Sequence, residues 1–170
     1  RTTGLLRRLR LSPAPISSVF GARVAVSLLL ALIQMAVFLL VAQLPVFGLK
    51  LAHYWWMAIP MLVCGVLAFL SIGMVIGAWA KTQESAQAMT QIVVLPMAFL
   101  GGSFFPLSAA PGWYQALSYA MPLRYLNTGM TNVIARGEGP GSALPYMLVL
   151  LGIAAVFSVV GLRLFKWDDA

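Results

Sequence analysis

Three stretches of this chain are long and apolar enough to cross a lipid bilayer, and that decides its fold before anything else. Val19–Leu44 carries a single charge, Arg23, near its start. His53–Ala80 has no charge beyond a possible proton on His53, and Leu144–Phe165 has only Arg163 at its end. A hydrocarbon core of about 30 Å takes about 20 helical residues to cross. A fourth stretch, Glu84–Phe105, is polar in its first half and apolar over Ile92–Leu100. Only helices and closed barrels satisfy the backbone in lipid, and runs of this length read as helices. The expected fold is therefore all-α: a polytopic transmembrane helical bundle with four spans. With 61% of residues hydrophobic and 9% charged, the chain could not cover a water-facing surface.

The distribution of charge orients the bundle. A net charge of +7 would suggest nucleic acid in a soluble protein, but here the bases sit mainly at the ends of the apolar runs. The simpler reading is topology signalling and contact with anionic lipid headgroups, without nucleic acid. With a cytoplasmic N-terminus, the inside receives Arg1, Arg7, Arg8, Arg10, Arg23, Lys81, Arg163 and Lys166, and the outside only Lys50, Arg124 and Arg136. Both ends are then cytoplasmic. Tyr54, Trp55 and Trp56 fall at the outer interface and Trp167 at the inner one. The single cysteine, Cys64, lies in an apolar run as a small packing residue and excludes an internal disulfide.

Between the spans lie segments of another kind. Arg1–Leu11 places Leu5, Leu6 and Leu9 within one apolar arc, with arginines around the rest. This is a short amphipathic helix on the inner leaflet or against a partner, or else a plain positive-inside anchor. Ser12-Pro13-Ala14-Pro15 ends it. The outer region, residues 103–142, holds Pro106, Pro111, Pro122 and a Gly137–Gly141 loop. Two pieces too short to span, Gly112–Ala120 and Leu123–Ala135, lie between these breakers as interfacial or re-entrant helices.

Candidate functional residues are few. Glu84, Gln87 and Gln91 form a polar stripe with Thr90 beside it. Such a stripe turns towards a watery path or towards interhelical hydrogen bonds, and Gln34 in the first span has the same two readings. Phe104, Phe105 and Pro106 follow the Gly101-Gly102 helix stop. Bulky apolar groups there close a pore by dewetting or anchor the interface. Gly73-x-x-x-Gly77 permits close helix contact, and Pro60 and Pro96 are expected to kink their helices. No P-loop, no Ser/His/Asp set and no His/Cys/carboxylate cluster appears, so neither catalysis nor a metal site is expected on this chain. An intramembrane acidic group of the kind that couples ions is also missing, which points to an energy source on another chain.

The order of parts resembles a known family. Leu9-Arg10-Leu11-Ser12-Pro13, two spans, and a polar-started span ending Phe99-Leu100-Gly101-Gly102-Ser103-Phe104-Phe105-Pro106 are followed by Pro111-Gly112-Trp113 and Pro122-Leu123-Arg124-Tyr125. This is similar to the permease subunit of bacterial type-2 ATP-binding-cassette exporters of the multidrug or daunorubicin-resistance kind. The resemblance implies a single permease domain over residues 1–170, as the C-terminal part of a six-span permease in the bacterial plasma membrane. It implies that residues 1–15 hold a coupling helix and linker, with Arg7, Arg8, Leu9 and Arg10 at the contact with an ATPase subunit. ATP and Mg would be bound by that subunit, and a second permease copy or homologue would complete the pore. The expected cargo is an amphipathic drug, lipid or related hydrophobic compound. A permease for polysaccharide or other envelope precursors, and a non-transporting scaffold, are the alternatives; aromatic rather than aliphatic lining of the path would mark the carbohydrate case. Arg124 stands where the family often has a small polar residue, which suggests a role in substrate choice or in anchoring headgroups.

Overall fold

A computed structural model describes residues 16–45, 48, 51–80, 82–104 and 107–164. Its helices are α1 (Ile16–Ala42), α2 (Ala58–Trp79), α3 (Gln83–Leu100), α4 (Gly112–Ser118), α5 (Pro122–Ile134) and α6 (Pro140–Leu164). Short 3-10 turns at Trp55–Met57 and Leu107–Ala109 complete the regular structure of the described residues.

Three helices are long and apolar enough to cross a membrane, over Gly21–Ala42, Trp55–Trp79 and Pro140–Leu164. The expected fourth span is a helix but falls short of that standard. α3 starts on the polar Gln83 and stops after 18 residues at Leu100, so it reaches about 27 Å with half its length polar. It stops because Gly101 caps it and Gly102 turns away at φ +80°, a backbone that side-chain-bearing residues rarely adopt. Phe104 therefore lies beyond the helix, not in its last turn. The start of α3 is fixed by Thr82, whose hydroxyl accepts from the Ser85 N–H at 3.1 Å.

The bundle is organised on α2 and α6. In lipid, helices gain little from hiding apolar surface, so close packing of small residues must hold them together. The buried positions of α2 include Ala58, Met61, Cys64, Ala68 and Ser71, and those of α6 are Ala143, Leu150, Ala154 and Gly161. Spacings of three, four and seven residues align each set in one narrow seam. At Gly161 an added Cβ would lie 3.5 Å from Met74 Cβ, so the two backbones run close. α5 packs across both helices. Its glycine, Gly129, meets Met61 and Tyr146, and Gly65 of α2 meets Leu126.

These observations correct two expectations. Gly73 and Gly77 have nothing within 4 Å of an added Cβ, so the spaced pair mediates no close contact among the described residues; Gly65, Gly129 and Gly161 do. The motif describes what a backbone permits and does not say which neighbour uses it. Pro60 is the third residue of α2, where its nitrogen has no helix bond to lose, so no mid-helix kink arises there. Pro96 does lie inside α3, as does Pro145 inside α6. By contrast α1 and α3 touch α2 only lightly, and α1 is almost wholly exposed.

Candidate functional site: the joint at the end of α3

Both part-span helices appear close to their expected limits, at Gly112–Ser118 and Pro122–Ile134. They meet the end of α3 through side chains that close its last carbonyls. A helix leaves its final C=O groups without partners, and at membrane depth those groups need donors from the protein. Tyr114 of α4 donates its hydroxyl to the Phe99 carbonyl. Asn127 of α5 donates its amide to the Gly101 carbonyl at 2.9 Å and to Ser103 Oγ at 2.9 Å. Gly101 itself is buried, and a Cβ there would lie 2.8 Å from both Cβ and Cγ of Leu123. Phe104 stacks on Phe99, with centroids 5.0 Å apart, and both rings are exposed.

α5 also terminates α4. Arg124 Nη1 donates to the Gln115 carbonyl at 2.9 Å and to Ser118 Oγ, while its guanidinium carbon lies 3.6 Å from the centre of the Tyr119 ring. A cation at a helix C-terminus meets the negative end of the helix dipole, and the ring face adds a second attraction. Tyr125 donates its hydroxyl to the Tyr119 carbonyl at 2.7 Å. The arginine expected to face substrate or headgroups thus clips two helices of its own chain together. Arg124→Ala is expected to loosen α4, raising the rate of limited proteolysis between residues 107 and 121 severalfold. Arg124→Lys restores little, since an ammonium lacks the planar fork that stacks and donates together.

Sequence reasoning missed Asn127, Tyr114 and Gly129. The available signal was the sidedness of α5. Arg124, Asn127, Thr128 and Thr131 fall on one arc at 100° per residue, and Leu123, Leu126, Met130 and Val133 on the opposite one.

The expected path residues are not brought together. Gln87, Thr90 and Gln91 are exposed on α3, and Gln34 is exposed on α1. Thr90 donates its hydroxyl back to the Ala86 carbonyl at 2.8 Å, within its own helix. Thr90 also borders a cleft of about 370 Å³ between α2 and α3, walled by Phe69, Ile72, Ile76, Val93, Val94 and Met97 among others. The polar stripe with Glu84 continues along α3 from that cleft. Arg7, Arg8, Leu9, Arg10, Phe105 and Pro106 lie outside the described residues, as do Lys50, Lys81, Lys166 and Trp167. Among the described residues no group of three or more His, Cys, Asp or Glu side chains could hold a metal ion.

Comparison with known proteins adds an independent line. The family model described as ABC-2 type transporter matches residues 1–135. The linearmycin resistance permease protein LnrN of Bacillus subtilis is 26% identical over 101 residues, covering 59% of this chain and 26% of that protein. The inner membrane transport permease YadH of Escherichia coli is 27% identical over 117 residues, or 68% of this chain and 43% of that protein. Nodulation protein J of Rhizobium meliloti is 28% identical over 103 residues, or 61% and 37%. The chain spans less than half the length of each of these relatives. No solved structure matches it.

Proposed function

The chain belongs to the ABC-2 type transporter family, and on that footing we propose that it is part of the permease subunit of an ATP-driven exporter of amphipathic drugs, lipids or related hydrophobic compounds. The observation that carries the reading is the setting of α3. This helix stands away from α2 across an aliphatic cleft, bears a polar stripe beside that cleft, and is closed at one end by two helices too short to span. A path with polar and aliphatic walls side by side suits a cargo that is itself amphipathic. Carbohydrate paths are lined by aromatic rings, and only Phe69 among the cleft residues is aromatic. The names of relatives support transport and resistance without giving this chain a substrate.

Energy enters from outside the chain in this reading. An ATPase subunit binds ATP and Mg and docks against Arg7, Arg8, Leu9 and Arg10 on the cytoplasmic side, where both ends of the chain lie. Closure of the ATPases turns that segment, and the movement reaches α3. Thr90 borders the path, Gln87 and Gln91 continue its polar wall, Gln34 joins it only from α1 in the assembled permease, and Phe104, Phe105 and Pro106 close it outside. A second permease copy or homologue covers faces of α1 and α3 left open here.

The test is purification of the full-length protein from its own membranes in mild detergent, followed by an ATPase assay. A P-loop subunit is expected to accompany it. Charge reversal at Arg7, Arg8 and Arg10 together is expected to lower substrate-stimulated hydrolysis by at least about tenfold, the loss of roughly 1.4 kcal/mol of coupling. Hydrolysis unaffected by the reversal, or no ATPase in the preparation, defeats the reading.

A further inference from the structure

We propose that Asn127 is the outer latch of the transport path, a positioning residue that holds the end of α3 in its closed place and must let go for the path to open. The inference rests on the transport reading above and names a part that the reading leaves unassigned.

Three observations carry it. First, α5 is fixed to the bundle. Val133 and Met61 are fully buried, and the backbone at Gly129 passes so close to Met61 that no Cβ fits without displacing it. Second, α3 is not fixed in this way. It touches α2 lightly, and the cleft lies between the two helices. Pro96, four residues before the helix ends at Leu100, also removes one backbone bond from α3 and leaves the Ile92 carbonyl without its helix partner. Third, the polar ties between the α3 end and α5 both come from one amide. Asn127 Nδ2 reaches Gly101 O and Ser103 Oγ at 2.9 Å each, and these two acceptors flank the turn that leads to Phe104.

An element bound loosely along its length and pinned at its tip, with a proline short of the tip, is built to bend there. The stator is α5 and the moving part is the last turn of α3. Releasing Asn127 carries Phe99 and the stacked Phe104 away from α5. Tyr114 must let go of the Phe99 carbonyl in the same movement, because Arg124 and Tyr125 clip α4 to α5. The tie to the Gly101 carbonyl needs an N–H donor, so Asn127→Ala and Asn127→Asp both remove it. The Ser103 hydroxyl can turn to donate to a carboxylate, so Asn127→Asp keeps at most that second tie.

The experiment uses the full-length protein in its native complex, with Cys64→Ala as background. Ser103→Cys and Asn127→Cys are introduced singly and together, and copper phenanthroline is the oxidant. The double variant is expected to form a disulfide and lose at least tenfold of its substrate-stimulated transport. Reductant should restore the rate, a reversal that a misfolded protein would not show. Single variants should be indifferent to oxidant. Failure of the disulfide to form, or equal rates before and after reduction, overturns the latch. A readout independent of any cargo is the labelling rate by a membrane-impermeant maleimide of Leu123→Cys, a position half-buried against Gly101. It should rise severalfold in Asn127→Ala and in Asn127→Asp, and an unchanged rate also overturns the proposal. Absence of transport by the background protein counts against the transport reading alone, and the labelling rates then decide the latch.

Discussion

Gly129→Leu is expected to unseat α5 and lower the stability of the whole bundle by about 1–3 kcal/mol, the usual cost of overpacking a well-filled core. The position has no spare volume. A Cβ would lie 2.0 Å from Met61 Cε, 3.1 Å from its Sδ and 3.3 Å from Tyr146 Cβ. Met61 is flexible in principle, but here it is fully buried between α2, α5 and α6, so its tip has nowhere to swing. Tyr146 Cβ sits on the backbone of α6 and moves only with that helix. Leucine would therefore push α5 off both partners at once. Gly129→Ala is the milder case, since a gain of up to about 1 kcal/mol in helix propensity offsets part of the clash. Gly77→Ala is the control. Nothing lies within 4 Å of its Cβ, so the same propensity gain should appear without any penalty. Thermal unfolding of the purified protein in one detergent gives all three. Removing the obstruction should couple the sites: Gly129→Ala is expected to cost less in a Met61→Ala background than alone. If Gly129→Leu unfolds at the same temperature as the unsubstituted protein, the packing of α5 described here is wrong.

The spans were legible because the feature that makes a helix cross a membrane is local. Run length and hydropathy are properties of neighbours in sequence, and Gly21–Ala42, Trp55–Trp79 and Pro140–Leu164 follow from them. Helix ends were legible where chemistry marks them, as at Gly101 and Pro122. What binds helix to helix was not. Gly73 and Gly77 carry the recognised spacing, yet an added Cβ at either would meet nothing within 4 Å among the described residues, while Gly129, a lone glycine in a part-span helix, has the tightest surroundings of the described glycines. The difference lies in which residue faces across from each, and that is set by tertiary placement. Asn127 is the same case in polar form. Its acceptors stand 24 and 26 residues away, across a loop and a whole short helix. Arg124 read as an exposed charge because its partners are main-chain and hydroxyl oxygens of α4, which no charge pattern records. The polar stripe of α3 was visible from its spacing, and the cleft beside it was not, because a cleft needs two helices.

If the chain transports as proposed, Gly101→Val is expected to abolish that transport while leaving most of the bundle folded, because it acts only at the joint between α3 and α5. Gly101 has an ordinary φ of −77°, so backbone conformation does not require glycine there. Space does. A Cβ would fall 2.6 Å from the Met97 carbonyl and 2.8 Å from Leu123 Cβ and Cγ. The carbonyl belongs to the last turn of α3 and accepts the Gly101 N–H at 2.8 Å, so it cannot retreat without breaking that bond. Valine must then displace Leu123 and with it the first turn of α5. The Gly101 carbonyl would leave the reach of the Asn127 amide, and the contact between the α3 end and α5 would open. Leu123→Ala should rescue only in part. It removes the Cγ clash but keeps the Cβ clash and the one with the Met97 carbonyl. Transport and unfolding temperature measured side by side test this. A fall in transport of at least tenfold, with a loss of stability smaller than that of Gly129→Leu, is the expected pattern. Retention of transport by Gly101→Val would mean that the end of α3 and the start of α5 are free to separate by the width of a side chain, and that no tight joint exists there.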